Sequence, residues 1–374
     1  MGNGRKRSRT PVVGIDASRA VSPQPTGTET YSLRLIQALL SLNPPWRVRL
    51  YFRRTPPEHL FPQAELRVIP FPRLWTHIRL SGEMARRPPD VLFIPAHVLP
   101  PVHPRRSLVT VHDLGYHYFP QAHPPLQRIY LDLSTRWNAR AAAHLLADSE
   151  ATRNDLVRIY GTPPAKVTVA YPGYDESLAP VRDPAVLAAV RERYGIPGPY
   201  FLYLGTLQPR KNLSRLVQAF SRLPTRAILV LAGRRGWMTD DLFGLIRRLG
   251  LEGRVLCPGY VRPEDRAPLL SGALAFVFPS LYEGFGLPVL EAQACGCPVI
   301  CANTSSLPEV AGDAALQVPP EDVVALADAM ARLEDDPDLR RELVERGFAN
   351  LRRFSWERCA RTVREVMERL LEED

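Results

Sequence analysis

Two glutamates, Glu283 and Glu291, stand eight residues apart around a glycine turn in "PSLYEGFGLPVLEAQACG" (279–296). Paired acids can be the general acid and base of a hydrolase, the ligands of a metal, or the polar edge of a helix. On one helix, eight residues would set them about 80° apart. They need not share a helix. "ALAFVFPS" (273–280) reads as a strand, "LYEGFG" as its turn, and Pro288 suits the first turn of a following helix. Glu283 then lies on a loop and Glu291 on the first helical turns. Gly284 and Gly286 let the backbone come close to a ligand, so that N–H groups reach sugar hydroxyls or phosphate. As a dinucleotide signal this is weak, because "GFGLPV" lacks the third glycine of that fingerprint.

A cationic pair is the second candidate. After "YFLYLGT" (200–206) comes "LQPRKNLSRLVQAF", where Asn212 reads as the N-cap of an amphipathic helix with Leu213, Leu216, Val217 and Phe220 on one face. Arg210 and Lys211 would sit just before that helix, where free N–H groups and the dipole favour an anion. Of 48 lysines and arginines only Lys6, Lys166 and Lys211 are lysine. Lys211 is therefore a compact point charge beside an arginine fork, a pair suited to two phosphates. A solvated basic pair at a helix start is the alternative. His112, at the end of "SLVTVHD" (107–113), is either a ligand-facing or a satisfied strand-end histidine. Asp113 reads as a loop cap, and His97, His117 and His123 receive no role. "DDPD" (335–338) reads as helix punctuation. No His or Cys cluster has zinc spacing, so no metal or other cofactor is expected.

These residues need a frame. A chain of 374 residues fits two domains, and 45% hydrophobic with 23% charged residues excludes disorder. The net charge is +9 without aromatic-interleaved basic runs, so nucleic acid is not an expected partner. Five cysteines, an odd number, read as reduced thiols in a packed core. No apolar run approaches the roughly 18 residues of a transmembrane helix. "MGNGRKRSRT" leads into no apolar segment, so it does not read as a secretory signal and the protein is expected in the cytoplasm. "RLWTHIRLSGEMARR" (73–87) reads as a plain surface helix. A basic amphipathic helix in peripheral contact with an anionic membrane, at the inner face of the cell membrane, is the alternative.

Strand candidates fall at 11–18, 47–52, 90–96, 107–113, 144–149 and 166–172, then at 200–206, 227–233, 254–260, 273–280 and 298–303. Each is nearly continuous in apolar character and followed by a helix-length segment, which means α/β with parallel sheets covered on both faces. The expected plan is two Rossmann-like doubly wound domains facing across a cleft. Residues 1–178 form the first, 179–199 a Pro/Gly-rich linker, and 200–353 the second. A helix over 354–374 can cross back to the first. Ligands in such sheets bind beyond the carboxyl ends of the strands.

"GTLQPRKNL", followed about seventy residues later by "PSLYEGFGLPVLEAQACGCPVICANTSSLPEVAG", resembles the retaining GT-B glycosyltransferases of family 4 (glycosyltransferase group 1). Their E-x7-E pair matches Glu283 and Glu291. In the first half, "VHDLGYHYFP" resembles the family's HD loop and "TGTETYSLRLIQAL" its first glycine loop, altered here by Thr28, Glu29 and Thr30. The resemblance implies that Arg210 and Lys211 hold the diphosphate of a nucleotide sugar and that Glu291 binds the ribose. Glu283 would lie near the transferred sugar, with the N–H groups of Phe285 and Gly286 on its hydroxyls. Gly205, Gly284 and Leu287 complete the donor set. His112 would bond the sugar or the forming charge, and Gly27 would let the first loop approach the phosphate and the acceptor.

"HDL" together with "PRKNL" is most similar to mannosyltransferase-like members that build surface polysaccharides. That implies a hexose moved from GDP-mannose to a glycan or lipid-linked acceptor, without a metal. UDP-glucose and UDP-N-acetylglucosamine stay open as donors. So do a sugar-nucleotide epimerase or phosphorylase on the same plan, and a non-catalytic module that binds polyanions.

Overall fold

The computed structural model describes residues 9–22, 27–71, 73–96, 98–120, 124–236 and 239–373. The start of the chain, Thr26, His97 and His123 lie outside the described residues. The chain divides into two compact units. The first comprises residues 1–114, 125–173 and 356–374, and the second residues 115–124 and 174–355.

The first unit is built on a parallel sheet of seven strands: β1 (Val12–Asp16), β2 (Arg47–Phe52), β3 (Glu65–Val68), β4 (Val91–Ile94), β5 (Ser107–Val111), β6 (His144–Ala147) and β7 (Val167–Val169). Their order is β3-β2-β1-β4-β5-β6-β7. β1 and β5 are buried at every residue, as their unbroken apolar runs require of a sheet covered on both faces. On one face the helix Gly27–Ser41 packs Tyr31, Leu35, Ile36 and Leu39 into a core shared with the last helix, Trp356–Glu372. That helix inserts Val363, Val366, Met367 and Leu370 and so belongs to the first unit. The opposite face buries Trp75, Leu80, Met84 and Leu156.

The second unit holds six parallel strands: β8 (Tyr200–Leu204), β9 (Ile228–Ala232), β10 (Val255–Gly259), β11 (Ala275–Phe278), β12 (Val299–Ala302) and β13 (Leu316–Val318). The order is β10-β9-β8-β11-β12-β13. Asp183 caps the helix Pro184–Arg193 ahead of β8 through the Ala185 N–H. Asp336, in the "DDPD" stretch, caps Pro337–Leu351 through the N–H groups of Asp338 and Leu339.

β3 and β13 are not among the strand candidates. Both are short edge strands with exposed or half-exposed residues, so polar side chains interrupt the apolar run that marks the central strands. The segment 73–87 also departs from a plain surface helix. A single π turn (Thr76–Leu80) runs into the helix Ser81–Arg86, and Trp75 is buried with its indole N–H on the Ile69 carbonyl at 2.7 Å.

Met367 is 1% exposed in the core between the last helix and β1. Met367→Ala should destabilise the protein by about 2–5 kcal/mol through lost contacts and an unfilled cavity. Urea unfolding checks this; an unchanged midpoint would remove the last helix from that core.

Candidate active site

The second sheet reverses direction at one place. The chain lays down β8, β9 and β10 to one side, then returns to set β11 against β8, with Ala275 opposite Phe201 and Phe276 opposite Leu202. At such a switch point the loops beyond two neighbouring strands diverge and leave a crevice at their carboxyl ends. The loop after β8 carries Gly205, Arg210 and Lys211. The loop after β11 carries Glu283 through Gly286, and Leu287 opens the helix that follows.

The two loops are tied by charge. Lys211 Nζ lies 2.6 Å from Glu283 Oε1, and Arg210 donates to Glu283 Oε2 at 3.1 Å. Arg210 also donates to the Tyr282 carbonyl, while its own carbonyl accepts the Leu281 N–H at 2.9 Å. The Lys211 ammonium sits 4.7 Å from the centre of the Phe278 ring. Burial alone would raise the Glu283 carboxyl, but Arg210 and Lys211 outweigh it and hold its pKa at about 2. Glu283 is thus a permanent anion with a cation on each oxygen, unsuited to carrying protons. The three side chains together keep one net positive charge.

The serines after β12 brace this loop. Ser305 Oγ accepts the Glu283 N–H at 2.9 Å, and Ser306 Oγ reaches the carbonyls of Glu283 and Phe285 at 2.9 and 2.6 Å. Phe285 is buried against Phe354. Gly286 has φ +116° and opens the helix Leu287–Ala294; a Cβ there would lie 2.8 Å from Leu307 Cδ2. Gly205, at the end of β8, has φ +152°, and its carbonyl would stand 1.9 Å from a Cβ on Gly233. Only glycine fits at 233, and this keeps the loops after β8 and β9 in close backbone contact.

Asn212 does not cap. It adopts a left-handed conformation (φ +60°), and no side-chain bond caps the helix Leu213–Ser221. Its amide instead donates to the carbonyls of Pro279 and Pro320 at 3.1 and 2.6 Å, and its oxygen accepts from Arg215. Two carbonyls distant in sequence outcompete the helix end for this side chain. Asn212 is a clamp between the β8 and β11 loops.

Glu291 lies on the helix Leu287–Ala294 and pairs with Arg266, on the helix Pro263–Ser271. Burial raises its carboxyl, Arg266 pulls it back, and Asp175 adds to the rise. The two glutamates therefore have separate cations and shift in opposite directions.

In the first unit, His112 follows β5. Its Nδ1 lies 2.6 Å from Asp148 Oδ2 and its Nε2 2.8 Å from the Pro95 carbonyl. Acceptors at both nitrogens suit the imidazolium. Burial pushes this ring down, but Asp148 and the Pro95 carbonyl prevail and its pKa is raised. The hydrogen bonds are those of a satisfied strand-end histidine, and the side chain stays 21% exposed. Gly27 is the first residue of its helix, and a Cβ there would meet no atom within 4 Å. Of the rest of the HD loop, residues 115–120 belong to the second unit, where Tyr118 stacks on Tyr282 with centroids 5.0 Å apart.

Sequence comparison decides what this arrangement belongs to. Residues 190–349 match the "Glycosyl transferases group 1" family and residues 25–178 match "Glycosyltransferase Family 4". The chain is 38% identical over 259 residues to O-antigen chain mannosyltransferase B of Escherichia coli, covering 68% of each chain. The chain belongs to the group 1, family 4 glycosyltransferases. Solved structures agree on the fold. Sucrose-phosphate synthase from Thermosynechococcus elongatus aligns with a TM-score of 0.75 at 23% identity, over 97% of this chain and 100% of that one. Anabaena HepE, in complex with UDP and glucose, aligns with 0.75 at 19% identity, over 96% and 100%. Both sheets are those of the GT-B class.

Sequence reasoning on this glycosyltransferase misses Arg266, Ser305, Ser306 and Tyr118. Each acts through a partner remote in sequence; only Arg266 carries a signal, as a cation on the helix before β11. Among the described residues, no three His, Cys, Asp or Glu side chains are grouped to hold a metal. Four of the five free cysteines are buried, with thiols pushed up by burial.

The Glu283 shift has a consequence for stability. Its folded pKa lies below the ordinary 4.5, so its contribution is complete above that pH and is lost as pH falls toward 2. The shift corresponds to roughly 3 kcal/mol. Glu283→Gln should be less stable than the parent by about that much at neutral pH, with the gap at least halved near pH 3. Denaturant unfolding of both proteins at the two pH values reads this, and a gap independent of pH would contradict the ion-pair account.

Proposed function

We propose that the protein transfers a hexose, mannose from GDP-mannose, to a hydroxyl of a glycan or lipid-linked acceptor, with retention at the anomeric carbon and without a metal. The observation that carries this reading is the Arg210–Lys211–Glu283 cluster at the β8/β11 switch point. Two cations against one carboxylate leave a positive charge where a diphosphate would enter, and preorganised cations stabilise a departing phosphate as charge develops. The similarity to an O-antigen chain mannosyltransferase supports mannose and a surface-polysaccharide acceptor.

Glu283, with a pKa of about 2 and both oxygens engaged, is a poor base and a poor nucleophile. We therefore favour a front-side route. The bond from the anomeric carbon to the diphosphate breaks as the acceptor oxygen bonds the same face, and the leaving phosphate oxygen takes the acceptor's proton. Glu291 is assigned to the ribose, where an ionised carboxylate accepts from two hydroxyls. Gly205, Gly284, Phe285, Gly286 and Leu287 are assigned to the donor's phosphates and sugar. Acceptor binding is assigned to the first unit; its Gly27, at the start of the helix Gly27–Ser41, is assigned to the approach of the phosphate and the acceptor, and His112, after β5, to the transferred sugar or the forming charge.

Steady-state transfer with GDP-mannose, UDP-glucose and UDP-N-acetylglucosamine, with and without chelator, tests the reading. GDP-mannose should be preferred and chelator without effect. A requirement for inorganic phosphate would indicate a phosphorylase, and isomerisation without acceptor an epimerase.

The variants should divide by role. Lys211→Ala and Arg210→Ala should each lose about 2–4 kcal/mol in kcat/KM, and the two losses should not add, since both cations share Glu283. Glu291→Ala should mainly raise the donor KM, and Glu283→Ala should mainly lower kcat. Near-normal transfer by both cation variants would refute the diphosphate assignment, and an unchanged donor KM in Glu291→Ala would refute the ribose assignment.

A further inference from the structure

Glu291 has a partner that the ribose assignment does not itself explain. Its side chain is 14% exposed on the helix Leu287–Ala294, and one oxygen, Oε2, accepts from Arg266 on the helix Pro263–Ser271. Among the described residues no donor is seen on Oε1.

The helix that carries Arg266 is held at both ends. In its first turn the buried Asp265 accepts from Tyr194 and Arg262 at 2.8 Å each, and pairs with Arg193 of the helix Pro184–Arg193. At its far end Ser271 Oγ donates to the Cys295 carbonyl at 3.0 Å, just beyond the helix of Glu291, and accepts the Val181 N–H at 3.0 Å. Arg266 is thus presented to Glu291 from a fixed backbone.

Opposing effects act on the Glu291 carboxyl. Burial favours its neutral form and the charge of Asp175 adds to this, while Arg266 opposes both. The Cys295 thiol, next along the same chain, is pushed up to about 12 and stays neutral. Where the helix of Glu291 meets the helix Pro337–Leu351, Gln293 faces the Asn350 amide and Gly347, also neutral. The balance therefore rests on one arginine.

A ribose presents two neighbouring hydroxyls as donors, and an ionised carboxylate accepts with both oxygens, whereas a protonated one turns an oxygen into a donor. A buried acid that loses its cation takes up a proton. An arginine on Oε2 prevents this and leaves the lone pairs of Oε1 for a ligand.

We propose that Arg266 is a positioning residue for the donor: resting on the assignment of Glu291 to the ribose, it holds that carboxylate ionised and turned so that Oε1 meets the ribose hydroxyls, without touching the donor itself.

The donor KM of Arg266→Leu, taken as its ratio to the parent so that titrations common to both cancel, measures this. Any of GDP-mannose, UDP-glucose and UDP-N-acetylglucosamine that is transferred will serve, because the ribose is common to all three. Without Arg266 the carboxyl is shifted up, so it gains a proton as pH falls and the ratio grows in that direction. The ratio should be about tenfold or more at pH 6 and about threefold or less at pH 9, with kcat within about twofold. Arg266→Lys should recover most of the loss at pH 6, and adding Glu291→Gln to Arg266→Leu should abolish the pH dependence. Should Arg266→Leu fail to fold, Arg266→Gln removes the charge and keeps a donor, and should show the same trend. A merely structural role would lower kcat as well, without regard to pH or to Glu291. With Glu291→Ala raising the donor KM, a KM in the Arg266 variants that is unchanged, lowered or independent of pH overturns the proposal. An unchanged donor KM in Glu291→Ala, or no transfer from any of the three, is instead a failure of the functional reading, and this inference falls with it.

Discussion

Glu283 can be ionised in a buried loop only because two cations reach it from the neighbouring strand's loop, and the second unit is arranged around that requirement. β8 and β11 must be adjacent for Arg210 and Lys211 to meet it. The Asn212 clamp and the Ser305–Ser306 brace then fix the two loops at that distance. For stability alone this is an indifferent solution, since a well-packed apolar cluster often serves as well as a buried ion group. What an apolar cluster cannot supply is a residual positive charge held rigidly at a strand end. The excess of one cation over the carboxylate leaves a positive charge between the β8 and β11 loops.

The same constraint explains why two acids eight residues apart do different things. Glu283 is clasped by Arg210 and Lys211, and Glu291 by Arg266. A hydrolase pair works by dividing a proton between carboxyls that face each other across the scissile bond. Here each acid has its own cation, set by separate elements, and neither pKa depends chiefly on the other. The glycine turn between them makes the separation possible, because the left-handed Gly286 ends the loop and starts the helix in a single residue.

Much of this is legible in the amino-acid sequence. Every central strand is an apolar run long enough to mark itself, and a family pattern spanning Arg210–Lys211 and Glu283–Glu291 points to the two loops that meet at the switch point. The edge strands β3 and β13 are not legible, because half-exposed strands carry the polar residues that periodicity takes for loop. Asn212 reads as a helix cap since its residue type favours that place, yet two carbonyls distant in sequence claim its amide. Arg266 and the serines after β12 act through tertiary contacts that no local pattern encodes. The helix Pro125–Ala141 shows the limit most clearly. Its apolar spacing is in the sequence, but which face meets solvent is decided by Asn138 and Thr135 packing inward.

The central claim is that the Arg210–Lys211–Glu283 cluster at the β8/β11 switch point receives a diphosphate. A crystal structure of the protein with GDP tests it most directly. The account predicts diphosphate oxygens within hydrogen-bond distance of Arg210 and Lys211, and the ribose hydroxyls on Glu291. A nucleotide bound elsewhere, with both cations still on Glu283 and no phosphate beside them, would contradict it.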